Sequence, residues 1–298
     1  MATVINKSTN LPTQVVEEMF DAVRGESALA KLAPQRPIPF NGTTEMVFTL
    51  DHEVSIVGES DAKVNGGGAA TPKVIRPYKF EYGLRVSDEF LYGTDEYRMD
   101  VMRTFAEGAA RKIARGFDIA AFHGLNPYST TASTVVGTNN FEDQVTNTVT
   151  YAAATADAKV GDAIALVEAA GVMPNGMAMS TVMKNDISDL SANGAPKYPA
   201  FAWGAAPEQL GSMTLAVNPT VSIAASGATK TLQGLVGDFS AFRWGYAKEI
   251  PLEVIEYGNP DNDAVAGDLK GHNQVYLRAE AYIGWAILAP SFFAKIEA

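Results

Sequence analysis

Residues 46–86 read MVFTLDHEVSIVGESDAKVNGGGAATPKVIRPYKFEYGLRV, and the way this stretch divides decides the fold. Met46 to Val57 is rich in β-favouring side chains and partly alternating, and Val74 to Val86 is β-like again. Between them Gly58 to Pro72 is small, polar and glycine-rich. Two strands joined by a soft tip make a long β-ribbon. Pro77 confines the second strand to a sheet edge, because proline cannot donate to a ladder. A lone two-stranded ribbon is marginally stable in water, and this tip is too poor in apolar side chains to fold back over it. The ribbon is therefore expected to lean on another subunit. Lys63 and Lys73 flank its tip, and Gly66, Gly67 and Gly68 make the tip flexible. No Lys-Ser/Thr and no helix follow those glycines, so they do not form a phosphate-binding loop.

Upstream, residues 1–11 are polar, and Pro12 opens a short helix ending at Gly25. Val15, Val16, Met19, Phe20 and Val23 give it one apolar stripe, which needs a partner in its own chain or a neighbour's. Three prolines between Pro34 and Pro39 predict an extended connector to the ribbon. Downstream, Ser87-Asp88-Glu89 reads as a cap, and a long helix is predicted from about Asp95 to His123, stopped by Gly124. Phe105, Ala109, Ile113 and Phe117 form its apolar line. Arg103, Glu107, Arg111 and Arg115 form a charged line in which Glu107 sits one turn from two arginines.

Residues 125–155 are rich in Thr, Ser and Asn and read as loop with short edge strands. The pattern then becomes mixed. A helix runs from Asp157 to about Ala170, a short strand follows at Met177, and Ser180 caps a helix over Thr181 to Leu190. A long loop from Ser191 to Pro207 precedes strands near Met213–Val217 and Leu232–Gly237. Val275, Leu277, Ala279, Ala281 and Ile283 alternate with Tyr276, Arg278, Glu280 and Tyr282, a clean strand signal. A buried strand end over Gly284 to Leu288, a turn at Pro290 and a last short strand close the chain. The fold class expected is α+β.

Composition narrows the function. The 298 residues are 47% hydrophobic and 19% charged, enough apolar material for a full core. Lys and Arg number 23 against 34 Asp and Glu, a net charge of −11, so no basic nucleic-acid footprint covers the chain. Cysteine is absent, which excludes disulfides, thiol nucleophiles and Cys-ligated metals. His52, His123 and His272 are far apart in sequence, and Asp51-His52-Glu53 would alternate in direction along a strand. Asp261-Asn262-Asp263 with Gly267-Asp268 lacks calcium-loop spacing, since Val265 stands at the third ligand position, and reads as a solvated turn. Glu249, Glu253 and Glu256 lie in a strand-like run with no sign of a sugar cleft. No nucleophile elbow, membrane span or signal core is present. No catalytic, cofactor-binding or metal residue is assigned.

The order of elements resembles the major capsid protein of tailed bacteriophages, the Hong Kong 97 fold. FEYGLRVSDEFL followed by DVMRTFAEGAARKIARGFDIAAFHG is similar to that family's return strand and spine helix. LVGDFSAFRWGYAKEIPLEVIE is similar to its GDF-type strand pair, and VYLRAEAYIGWAILAPSFFAKI to its closing strands. The resemblance implies an N-terminal arm (1–44), an extended loop lapping a neighbour (45–85) and a peripheral domain with the spine helix (86–150). It implies an axial domain over 151–252 and closing strands over 253–298 that return to the peripheral domain. It also implies a homo-oligomer of hexamers and pentamers that builds an icosahedral shell around double-stranded DNA in a virion assembled in the host cytoplasm. Separate scaffolding, portal and decoration proteins are compatible partners. The arm begins almost at Met1, so a scaffold is expected to be a separate protein or not needed. Some members join a ribbon lysine to a neighbour's asparagine; Lys63 and Lys73 are the available donors, and no such cross-link is expected. The acidity predicts that DNA is confined more than bound, with the arginine-bearing helix as its best contact, and no membrane partner is expected. Two alternatives stand beside this reading: an encapsulin-type nanocompartment shell holding an enzyme cargo, and a soluble α/β enzyme.

Overall fold

The computed structural model describes residues 26–50, 53–63, 65–224, 231–248 and 252–298. The helix expected over residues 12–25 lies outside the described residues, as do Asp51, His52 and Glu249. In chain order the elements are α1 (Ala28–Leu32), β1 (Thr43–Leu50), β2 (Gly68–Ser87), α2 (Glu89–Tyr92), α3 (Asp95–His123), α4 (Phe141–Gln144), β3 (Thr148–Thr150), α5 (Ala156–Ala169), β4 (Gly176–Met179) and α6 (Thr181–Asp189). They continue with β5 (Ser191–Ala192), β6 (Ala195–Pro196), β7 (Gln209–Leu210), β8 (Met213–Val217), β9 (Leu232–Gly237), β10 (Phe242–Lys248), β11 (Leu252–Ile255), β12 (Gln274–Ile287) and β13 (Phe293–Glu297).

The ribbon is real, but its boundaries move. β1 and β2 pair antiparallel from Thr43↔Ile75 to Leu50↔Gly68. The first strand thus ends at Leu50, where Val57 was expected, and the second begins at Gly68, where Val74 was expected. The backbone ladder needs no side chain, so the small residues Gly68 to Thr71 pair as soon as β1 lies opposite. From Arg76 to Ser87, β2 changes partner and pairs with β12. Among the described residues each half of β2 therefore has a single neighbour, which is how one strand carries both Pro72 and Pro77.

β12 is the centre of the first sheet, with β2 on one side and β10 and β11 in succession on the other. α3 packs on its apolar face. Thr94 Oγ1 accepts from the Tyr97 N–H to start this helix, and Gly124, at φ +66°, ends it. Its 29 residues make a rod about 44 Å long. Ala106, Ala109, Ala110 and Ala114 are fully buried, so the helix approaches the sheet closely, and Phe117 fits between Trp244 (5.1 Å) and Trp285 (5.5 Å).

The second sheet runs β3-β13-β9-β4-β8-β7 with mixed directions. Val160, Ala163 and Val167 of α5 and Met183 and Ile187 of α6 pack on it against Met177, Met179 and Ile296. β10 falls within residues 151–252 yet pairs in the first sheet, and β13 falls within 253–298 yet pairs in the second. The chain thus crosses between the two sheets three times, before β3, before β10 and before β13, and Phe141, Phe239, Phe242 and Phe293 pack where it does. The stretch read as a loop from Ser191 holds a tight β5–β6 hairpin turning on Asn193-Gly194, both at positive φ.

The expected extended connector lies along β10: Arg36 N–H donates to Trp244 O (2.9 Å) and Ile38 N–H to Tyr246 O (3.2 Å). The indole of Trp244 donates to Ala33 O (2.9 Å). A Cβ on Gly245 would stand 1.7 Å from the Arg36 carbonyl oxygen, a backbone atom that cannot swing aside. Gly245→Ala is therefore expected to displace the connector and lower stability by about 2–3 kcal/mol. Urea unfolding checks this; an unchanged midpoint would mean that the connector is not held against β10.

Candidate subunit-contact surfaces

The ribbon leaves the first sheet with its apolar side chains uncovered. Phe48 is 72% exposed, Leu50 78%, Val54 93% and Ile56 100%. Soluble monomers rarely leave such a contiguous set in water. Lys63, Gly66, Gly67 and Gly68 are exposed at the tip and, with Leu50, Val54 and Val57, line an open cavity of about 600 Å³. Lys73 lies apart from them, half-buried and opposite Glu45 in the ladder. At the ribbon's base Glu45 pairs with Arg243 of β10.

The charged line of α3 faces solvent. Arg103 and Glu107 pair at 3.5 Å, while Arg111 reaches Glu26 at 3.7 Å, just ahead of α1. Lys112 and Arg115 are exposed beside a cavity along β2. Of the two arginines one turn from Glu107, Arg103 thus pairs with it, while Arg111 ties to the arm.

Sequence reasoning missed two organising residues. Asp118, fully buried on α3, accepts from Ser27 Oγ (2.6 Å), Ala28 N–H (2.8 Å), Leu29 N–H (3.3 Å) and Thr220 Oγ1 (3.1 Å). The carboxylate faces the first turn of α1 and ties arm, long helix and the loop before β9 together. Burial raises its pKa to about 6, against the lowering pull of these hydrogen bonds. His123, one and a half turns on, bonds Glu142 through Nδ1 (2.8 Å) and the Thr220 carbonyl through Nε2 (2.9 Å). It is a buried strut between α3 and its neighbours, more than a helix-end residue. A lone aspartate in the apolar run GFDIAAFHG was the available signal for Asp118.

The second is Arg85. Its guanidinium holds the Asp261 carboxylate (2.5 and 2.7 Å), Asn259 Oδ1 (2.7 Å), Gln274 Oε1 (3.2 Å) and the carbonyls of Ala266 (3.3 Å) and Gly267 (3.0 Å). This contact holds Asp261 down at about 2. The turn read as solvated is therefore wound around an arginine from β2. Among the described residues no group of His, Asp and Glu is placed to hold a metal ion, and no helix is long and apolar enough to cross a membrane. Glu253 pairs with Arg278 at 2.7 Å, as part of a cross-strand ion lattice.

The described residues thus form a two-sheet body with a 29-residue helix and a ribbon of exposed apolar side chains, and comparison with known proteins places this architecture among shell-forming capsid proteins. The chain belongs to the phage capsid family, which it matches over residues 9–298. A solved structure from Mycobacterium phage Ogopogo superposes with a TM-score of 0.77 at 28% identity, covering 91% of this chain and 92% of that one. One from Gordonia phage Cozz gives 0.73 at 25% identity, covering 91% and 86%. The capsid of a native GTA particle computed with C5 symmetry shares the fold at 13% identity, with a TM-score of 0.63 over 91% of this chain and 89% of that one. No curated protein sequence matches the chain. It is a virion capsid protein with a mixed helix-and-sheet fold, and its family is a structural one.

Proposed function

We propose that this chain assembles as hexamers and pentamers into an icosahedral shell that encloses double-stranded DNA, acting as structure and not as catalyst, in a virion assembled in the host cytoplasm. The uncovered ribbon carries this reading, because Phe48, Leu50, Val54 and Ile56 need a second surface. The C5 symmetry with which the GTA capsid was computed, a chain of the same fold, supports a ring of copies. In this assembly residues 1–44 are the arm and 45–85 the loop that laps a neighbour, with Lys63, Gly66, Gly67, Gly68 and Lys73 in the inter-subunit contact. The first sheet with α3 forms the peripheral body, and the second sheet forms the axial body near the capsomer centre. Scaffolding, portal and decoration proteins join as separate chains. At net −11 the shell confines DNA more than it binds it, with Arg103, Arg111 and Arg115 of α3, around Glu107, the favoured contact.

Negative-stain microscopy with light scattering tests this. The whole chain is expected to give closed shells or capsomer rings, and a variant lacking residues 53–66 a folded, unassembled subunit with the helical circular dichroism of the whole chain. Normal shells from the truncated chain would show that the ribbon is not the contact that closes them.

A further inference from the structure

The ladder between β2 and β12 ends at Arg76↔Trp285. Beyond it β2 continues beside β1, and β12 continues beside β10. A cavity of about 320 Å³ lies in this fork, bordered by the loop after α3. Lys73 and Arg76 line it, one from each half of β2, and among the described residues no acid does. The chain as a whole has 34 acidic residues against 23 basic ones, so this is a local reversal of sign. Neither cation has an ion-pair partner among the described residues. Glu45, opposite Lys73 in the ladder, is taken by Arg243. Glu142 and Asp143, just before Gln144, are taken by His123 and Asn140. The cavity along α3 differs, because Glu81 lines it and Lys79 there is already paired with Glu280.

The neutral groups of the fork add a donor and an acceptor. Asn139 Nδ2 donates to Tyr78 Oη (3.1 Å) and to Trp285 O (3.0 Å). The phenol thus accepts from Asn139, and its own proton has no acceptor among the described residues. Gln144 Nε2 donates to Thr138 O (3.2 Å) and Asn139 Oδ1 (3.3 Å). Both partners are acceptors, which fixes the amide and leaves Oε1 as the remaining atom. That Oε1 is buried and has no donor among the described residues. A buried acceptor without a donor is costly and calls for an occupant that supplies one.

We propose that the fork binds a protonated tetrahedral oxyanion, inorganic hydrogen phosphate. Three of its oxygens accept from the Lys73 ammonium, the Arg76 guanidinium and the Tyr78 hydroxyl, and its P–OH donates to Gln144 Oε1. A nucleic-acid phosphodiester carries no proton, and a phosphomonoester has mostly lost its second one at neutral pH, so neither satisfies Gln144. Bound there, the anion ties both halves of β2 to the loop after α3 and fixes the angle at which the ribbon leaves the first sheet. The site lies within one subunit and does not depend on the shell reading.

Isothermal titration calorimetry of the whole chain at neutral pH tests this, with sodium phosphate and sodium sulfate as probes at equal ionic strength. Both anions are tetrahedral, but sulfate keeps no proton. Phosphate is expected to bind once per chain and about tenfold tighter than sulfate. Arg76→Gln and Lys73→Gln are each expected to weaken phosphate by about tenfold. Gln144→Met should remove the preference for phosphate and leave sulfate binding as it was, and Lys112→Gln, in the other cavity, should change neither. The comparison of the two anions on the unaltered chain needs no variant, so a misfolded substitution does not spoil the test. Equal binding of phosphate and sulfate, no phosphate binding, or phosphate binding untouched by Arg76→Gln and Lys73→Gln overturns the inference. Displacement of phosphate by thymidine 5′-monophosphate or by a short duplex without phosphorylated ends also overturns it, in favour of a nucleic-acid contact. None of these results bears on particle formation, which decides the shell reading separately.

Discussion

Asp118→Ala is expected to free the arm from the long helix and to lower stability by about 2–3 kcal/mol at neutral pH. The substitution leaves the Ser27 hydroxyl and the Ala28 and Leu29 amides without their acceptor in the interior, while the Thr220 hydroxyl keeps Asn218 Oδ1 at 2.8 Å. Each buried donor stranded in this way costs about 1–3 kcal/mol, and relief from burying a charge offsets part of the sum. Urea unfolding reads the stability, and limited proteolysis near Glu26 reads the arm. A variant as stable and as resistant as the parent would mean that the carboxylate does not hold the three segments together. The same group predicts a pH dependence. Its folded pKa of about 6 lies above its ordinary 3.8, so the folded state takes up the proton first. This contribution to stability is complete below pH ~4 and is lost as pH rises through ~6. The difference in unfolding free energy between parent and Asp118→Asn should therefore move in the parent's favour as pH falls across that window. A pH-independent difference would place the ionisation elsewhere.

Trp285→Ala is expected to cost about 4 kcal/mol. The side chain is fully buried where β12, β2 and α3 meet, 4.5 Å from Tyr78 and 5.5 Å from Phe117 between ring centres. Its indole donates to Asn139 O (2.9 Å) and so also fastens the loop after the long helix. Nothing nearby can close the void, because Phe117 is already held by Trp244. Trp285→Phe keeps most of the volume and loses the hydrogen bond, so it should recover more than half of the loss. Denaturant unfolding of both variants checks this; a loss below about 1 kcal/mol for alanine would mean that the junction repacks.

The elements most legible in the sequence were those set by chemistry within a few residues. Gly124 ends the long helix by a left-handed stop, as its position predicted, whereas the cap at Thr94 was not read from the sequence. Ser180 caps α6 through the Met183 N–H (3.0 Å), as its position before Thr181 predicted. The alternation in Val275 to Ile283 put Arg278 and Glu280 on the side away from the helix, where they pair at 3.3 Å. The ribbon was legible as two β runs and a soft tip. Its register was not, because pairing of β1 with Gly68–Ile75 depends on a partner 30 residues away in Thr44↔Val74, not on local propensity.

The sequence by itself determined the elements, the lack of cysteine chemistry and the need of one extended segment for a second surface. Those follow from side-chain periodicity, caps and composition, which act over one turn or one strand. Only the tertiary structure decided that Asp118 meets Ser27 and Thr220 across 91 and 102 residues, and that Arg85 winds the 259–267 turn across about 180. It alone decided that β2 changes partner at Ile75–Arg76 and, among the described residues, leaves its other edge unpaired. A buried carboxylate or a free strand edge is defined by what surrounds it, and those surroundings exist only once distant segments have packed.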